Sequence, residues 1–136
     1  MVDFMADFHF DLVSPEKLLF AGAVGQVDLP GSEGDMGVLA GHAPLITALR
    51  PGIIVVHRAD GELRIVVNGG FAEVAPAGLT VLADMAVPLE EFDRTLLAGE
   101  INDTEEDLAD TTDGWQRDKL ARRLQQLKAL QEALSH

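Results

Sequence analysis

Ile53-Ile54-Val55-Val56-His57-Arg58-Ala59-Asp60-Gly61-Glu62-Leu63-Arg64-Ile65-Val66-Val67 is the stretch on which the fold turns. Its two arms, Ile53 to His57 and Leu63 to Val67, are rich in β-branched side chains, and Asp60-Gly61 between them is a turn signal. The stretch therefore reads as two strands joined in a tight hairpin. Similar short runs lie on either side: Phe8-His9-Phe10-Asp11-Leu12, Leu18-Leu19-Phe20-Ala21, Leu45-Ile46-Thr47-Ala48-Leu49 and Leu79-Thr80-Val81-Leu82-Ala83. Gly69-Gly70 and Ala77-Gly78 mark further reversals. About ten short strands with close turns predict an all-β sandwich or a flattened barrel over residues 1–87.

The pattern changes after Val87. Pro88 suits a first helical position, Glu90 and Glu91 favour the positive end of a helix dipole, and glycine becomes scarce. Leu89, Phe92, Leu96 and Ile101 are expected to share a helix face that Gly99 weakens by about 1 kcal/mol relative to alanine. Thr111-Thr112-Asp113-Gly114 breaks the pattern, and Asp113 with Gln116 three residues on resembles a capping arrangement that opens a second helix. Leu120, Leu124, Leu127, Leu130 and Leu134 then form an apolar stripe, whose nearest partner is the preceding helix. Residues 88–136 are thus predicted to be an antiparallel α-helical hairpin. Residues 100–113 hold seven acidic side chains and no basic one, whereas half of the ten basic residues (Arg117, Lys119, Arg122, Arg123 and Lys128) fall on the last helix. Such a helix is either an ordinary solvated face with opposite-charge neighbours or a basic surface for an acidic partner.

A chain of 136 residues has room for one medium domain with a small appendage, and 47% apolar residues supply a core that must be mostly aliphatic, since aromatics are only 5%. A formal charge of -13 argues against nucleic-acid binding, which relies on Lys and Arg at the phosphates. The opening residues carry acids and no basic group, unlike the charged start of a secretory signal, and no apolar run approaches the roughly 20 residues of a membrane span. With no cysteine, disulfides, thiolate metal sites and cysteine nucleophiles are excluded.

Between Val27 and Thr47 the chain packs Gly31, Gly34, Gly37 and Gly41 with Glu33, Asp35 and His42 into a loop-like segment. A phosphate loop would need GxxxxGK[ST], or GxGxxG between a strand and a helix; neither is present, and no Lys or Arg lies between Val27 and Leu49. Glu33, Asp35 and His42 offer metal donors, but their spacing matches no ligand motif, and acidic turn residues commonly cap their own backbone. Ser14, Ser32 and Ser135 lack a GxSxG context, and His9, His42, His57 and His136 suggest no triad. No cofactor is expected. Elimination leaves the segment as an interaction surface.

The run from Gly31 to Gly52, Gly-Ser-Glu-Gly-Asp-Met-Gly-Val-Leu-Ala-Gly-His-Ala-Pro-Leu-Ile-Thr-Ala-Leu-Arg-Pro-Gly, resembles the epsilon-subunit family of F-type ATP synthases. Val13 to Gly22, Val67 to Val74 and Leu79 to Asp84 match in order, so the resemblance spans the strand-rich half; the tail matches in architecture more than in residues. It implies a β-sandwich followed by a helical hairpin, in a noncatalytic subunit of the central stalk. That rotor subunit would couple rotation of the c-ring to ATP synthesis in a proton-translocating enzyme. The implied partners are the gamma subunit, the c-ring and, through the C-terminal helices, the alpha and beta subunits of the catalytic head, where the helices would inhibit ATP hydrolysis. The implied location is peripheral, at the cytoplasmic face of an energy-coupling membrane such as a bacterial inner membrane.

Carried onto this chain, the resemblance makes Glu33, Asp35, Gly37 and His42 the candidates for contact with the ring, and Arg122 and Arg123 those for the inhibitory contact. Some bacterial members bind ATP on the hairpin through Ile-Asp-x-x-Arg. Here the matching place reads Phe92-Asp93-Arg94-Thr95-Leu96, with leucine where that arginine would stand, so nucleotide binding is not expected. The alternatives are a small metal-dependent enzyme built on Asp35 and His42, and a free β-sandwich adaptor with a helical tail.

Overall fold

The computed structural model describes residues 7–135. The acidic opening at residues 1–6 and His136 lie outside the described residues. The chain divides into two compact units, residues 1–91 and 92–136.

Ten strands build the first unit: β1 (Phe8–Val13), β2 (Leu18–Val24), β3 (Gln26–Gly31), β4 (Gly34–Leu39), β5 (Leu45–Ala48), β6 (Gly52–Arg58), β7 (Gly61–Val67), β8 (Gly70–Ala75), β9 (Gly78–Ala83) and β10 (Ala86–Pro88). They form two five-stranded sheets, ordered β2-β1-β9-β8-β5 and β10-β7-β6-β3-β4. We refer to these as the first and second sheet. Every pairing is antiparallel except that of β1 with β9. Alternation decides what is buried. Phe10 and Leu12 on β1, Val27 and Leu29 on β3, Ile54 and Val56 on β6, and Leu79 and Val81 on β9 are all at most 2% exposed and pack into one core. Of the sandwich and the flattened barrel that the run pattern left open, the first unit is therefore the sandwich.

The hairpin at Asp60-Gly61 forms one residue earlier than its turn signal. Arg58 pairs with Gly61, leaving Ala59 and Asp60 in the loop, and Gly61 opens β7 with φ of +131°. Gly70 and Gly78 are glycines for a steric reason. Gly70 has φ of +124°, and a Cβ there would lie 2.2 Å from the Leu82 carbonyl oxygen. Gly78 has φ of +144°, and its Cβ would lie 2.2 Å from the carbonyl oxygen of His9 on the parallel neighbour. Both conformations belong to a region that L side chains rarely occupy.

The second unit holds α1 (Arg94–Asp110) and α2 (Gly114–Leu134), joined by Thr111 to Asp113 and packed together as the expected hairpin. Asp113 caps α2 by accepting the Gln116 N–H at 3.0 Å. Entry into α1 differs from the expectation. Pro88 closes β10 opposite Ile65, and Leu89–Glu91 is a single 3-10 turn. The helix starts only after Asp93, whose carboxylate accepts the N–H groups of Thr95 and Leu96. An edge strand tolerates a proline that donates no ladder bond, and the Asp93 cap then sets the helical phase. With that phase Leu97 and Ile101 are buried, while Leu96 is 66% exposed instead of facing inward. On α2 Leu127, Leu130 and Leu134 are buried and Leu120 and Leu124 half-buried, as the stripe required.

The steric requirement at Gly70 has a measurable cost. Gly70→Ala is expected to lower stability by about 2–4 kcal/mol, because strained φ and a backbone clash act together. Urea denaturation followed by circular dichroism checks it; a loss below about 0.5 kcal/mol would show that the β8 start relaxes freely.

Candidate functional site

The segment from Val27 to Thr47, read from sequence as loop-like, is mostly strand. β3 and β4 form a hairpin whose two-residue turn is Ser32-Glu33, with Gly31 opposite Gly34. Glycines that suggest a flexible loop in the sequence instead lie in or beside an edge strand, since β4 ends the second sheet. Glu33 is exposed at the hairpin tip. Asp35, 89% exposed at its side chain, is paired with Arg50. Arg50 also donates from Nε to the Gly31 carbonyl at 2.7 Å, and from its backbone N–H to the Pro30 carbonyl at 2.8 Å. One arginine from the segment before β6 thus fastens the tip.

Gly37 stands in the middle of β4, opposite Asp28. His42 lies past the end of the strand, its Nδ1 2.8 Å from the Ala43 carbonyl and its N–H donating to Leu39. The six residues of β4 span about 17 Å at a strand's rise. The structure therefore brings Glu33 and Asp35 together with Arg50 and leaves His42 at the other end of β4. That separation corrects the alternative in which Asp35 and His42 share a metal ion, since ligand distances are about 2.0–2.6 Å.

The outward side of the second sheet carries a polar ladder that sequence reasoning did not find. His57 places Nε2 2.7 Å from Asp28 Oδ2 and Nδ1 3.1 Å from Glu62 Oε2. Gln26 Nε2 donates to Asp28 Oδ1 at 2.7 Å, and Arg64 reaches Glu62 at 3.2 Å. Cross-strand register assembles these side chains on one face, and register is not visible in any single strand.

The outward side of the first sheet is apolar. Ala48 on β5 stands opposite Phe71 on β8, Phe71 opposite Leu82 on β9, Leu82 opposite Val13 on β1, and Val13 opposite Leu18 on β2. Phe71, Leu82 and Leu18 are 57–59% exposed, and Ile46 beside this row is 69% exposed. An apolar row across all five strands, with Leu18, Leu82, Phe71 and the adjacent Ile46 as its large exposed members, exceeds the scattered exposure usual on a free surface. The signal in the sequence was the apolar outward position within each short run, but only pairing shows that the positions coincide.

In the helical unit most basic residues are occupied. Arg123 pairs with Glu100 at 3.4 Å and Lys128 with Glu105 at 3.2 Å. Arg117 donates to the carbonyls of Leu108 and Thr111, and Lys119 lies 5.7 Å from the centre of the Trp115 ring. Arg94, the residue after Asp93, donates to the Leu134 carbonyl at 2.9 Å and so ties the start of α1 to the end of α2. Arg122 is exposed and has no ion-pair partner among the described residues. The two candidate arginines are therefore unlike: Arg123 is engaged within the hairpin and Arg122 is open.

Residues 7–89 match the family of the ATP synthase delta/epsilon chain, β-sandwich domain. The chain is 53% identical over 131 residues to the ATP synthase epsilon chain of Nitrobacter winogradskyi, covering 96% of each. It is 52% identical to that of Parvibaculum lavamentivorans, over 93% of this chain and 96% of the relative. Among solved structures it is similar to a chain of the Euglena gracilis mitochondrial ATP synthase, solved as OSCP, F1 and c-ring, with a TM-score of 0.78, 31% identity and coverage of 95% and 82%. A chain from the Tetrahymena thermophila central stalk and c-ring shares the fold at a TM-score of 0.61 and 16% identity.

Packing and charge make different contributions to the hairpin. Leu130→Ala is expected to destabilise the helical unit by about 2–5 kcal/mol, because Leu130 is 1% exposed. The exposed pairs should contribute little: Arg123→Ala with Lys128→Ala together are expected to cost about 1 kcal/mol or less. Thermal melts followed by helical circular dichroism compare the two; a larger loss in the charge double variant would reverse the ranking.

Proposed function

Because the chain belongs to the ATP synthase delta/epsilon chain family, we propose that it is the noncatalytic central-stalk subunit of a proton-translocating F-type ATP synthase. In this reading it rotates with the gamma subunit and c-ring and couples ring rotation to ATP synthesis in the catalytic head. The observation that carries the reading is the uncovered apolar row from Leu18 to Ala48. Each large apolar side chain fully withdrawn from water contributes about 1.5–3 kcal/mol, so this face favours permanent cover by a protein partner over a free adaptor. We assign it to gamma.

The β3–β4 hairpin, with Glu33, Asp35 and Gly37, is assigned to the polar loops of the ring. His42, at the far end of β4, belongs to that contact only if the ring follows the whole edge strand. No described helix is long and apolar enough to cross a membrane, so attachment through the complex, at the cytoplasmic face of the energy-coupling membrane, is the form of localisation proposed.

The helical hairpin is assigned a weak inhibitory role toward the alpha and beta subunits. Arg123 would have to release Glu100 before meeting an acidic partner, whereas Arg122 is available without rearrangement. The separation of the two states sets the strength, about 1.4 kcal/mol for each tenfold change in population.

Replacing Phe71 and Leu82 together by aspartate should leave the isolated chain folded, since both point outward, but sharply reduce its recovery with gamma when the complex is purified. Undiminished recovery would remove the gamma assignment. Truncation after Glu91 is expected to raise ATP hydrolysis by the complex, by less than about tenfold. Arg122→Ala should reproduce more of that rise than Arg123→Ala. Equal rates for full-length and truncated complexes at low and high salt would show that the tail does not inhibit.

A further inference from the structure

The helical hairpin begins on a charge that its own first helix disfavours. Arg94 is the first residue of α1, no acid stands in that helix's first turn, and only the capping Asp93 balances the partial positive charge of the end. α2 finishes in the converse state, with no basic residue in its last turn. Its cap, Ser135, turns both its N–H and its hydroxyl back to the Glu132 carbonyl. The Leu134 carbonyl is left for Arg94, whose Nη1 donates to it at 2.9 Å. No ion pair involves Arg94 among the described residues. The guanidinium thus lies where the negative end of α2 offsets the positive end of α1.

The same arrangement recurs at the other end of the hairpin. Arg117, in the first turn of α2, donates to the carbonyls of Leu108 and Thr111 at 2.6 and 2.9 Å, where α1 finishes. There the connection from Thr111 to Asp113 already holds the helices together. At the open end the chain supplies no connection, and closure falls to side chains: the buried Leu97 and Leu134, and the bond from Arg94. We propose that Arg94 is the latch of the hairpin. Its charge is favourable only while α2 lies beside α1, because with α2 away it faces the positive end of its own helix alone. A contact present in one of two states shifts their populations by its differential energy, so the latch biases the tail towards the closed state. Its effect on the complex, less contact with the catalytic head, rests on the inhibitory role assigned to the hairpin; the latch itself does not.

The test is hydrogen exchange on the full chain, followed at the amides of Leu97 to Ile101 in α1 and of Leu130 to Leu134 in α2. Arg94→Met keeps an apolar stem but removes the charge and the donor, and should speed exchange at both sites about fivefold. Arg94→Glu separates a latch from a local effect, because an acid at the first residue strengthens α1 by itself while repelling the end of α2. Exchange at Leu97 to Ile101 should therefore rise about tenfold in that variant, whereas a role confined to α1 would slow it. Arg94→Lys should stay within about twofold of the parent, as should Arg117→Met at the same amides, since the turn keeps its helices paired. Circular dichroism establishes that each variant retains its helices. In the assembled complex Arg94→Glu should lower ATP hydrolysis about twofold, and Arg122→Ala added to it should restore the rate. Slower or unchanged exchange at Leu97 to Ile101 in both Arg94→Met and Arg94→Glu would overturn the latch. Faster exchange with unchanged hydrolysis would leave the latch in place and remove the inhibitory role.

Discussion

The parallel pairing of β1 with β9 is the contact on which the rest of the sandwich depends. It sets Phe10 opposite Leu79, Leu12 opposite Val81 and Val13 opposite Leu82. The first two pairs are buried and the third faces outward, so one register fills the core and completes the apolar row on the other side. A slip of one residue would turn Phe10 and Leu12 to solvent, at about 1.5–3 kcal/mol each, and bring Asp11 into the interior. Gly78 permits the approach, because any side chain there would meet the His9 carbonyl. The antiparallel hairpins are local and follow from their turns; this pairing joins the two ends of the sandwich sequence.

That arrangement gives the sandwich two outward faces of opposite chemistry. The first sheet shows Leu18, Leu82, Phe71 and Ile46, while the second shows the ladder from Gln26 and Asp28 through His57 to Glu62 and Arg64. The chain reaches both by crossing repeatedly between sheets: β1 and β2 lie in the first, β3 and β4 in the second, β5 in the first again. Because strand side chains alternate, each crossing contributes one residue set to the common core and another to one face. An apolar face favours long-lived burial, and a polar one favours contacts whose strength depends on salt.

The helical unit separates packing from charge in the same way. Its stability comes from the leucines of α2 against Leu97 and Ile101, whereas the ion pairs Arg123–Glu100 and Lys128–Glu105 are exposed and weak. Arg94 adds a tie of another kind by closing an otherwise open carbonyl at the end of α2. A hairpin held mainly by an apolar seam does not depend on its exposed outer pairs to keep its helices together.

The sequence by itself determined an all-β unit of about ten short strands and the helical hairpin, because alternation, turn residues and the leucine stripe are properties of neighbouring residues; that the strands form a sandwich and not a flattened barrel was decided by their pairing. It also determined the Asp113 cap. It misread β3 and β4 as loop, since Gly31, Gly34 and Gly37 imitate a flexible segment when their ladder partners are out of view. It placed α1 too early because Pro88 had a strand to join on β7, a partner far away in the chain. Only the tertiary structure decided which outward residues coincide. Leu18, Val13, Leu82, Phe71 and Ala48 form one row, and Asp28, His57 and Glu62 one ladder, through registers that no single strand encodes. It likewise parted His42 from Asp35, because an extended strand carries two residues close in sequence to opposite ends of its own length.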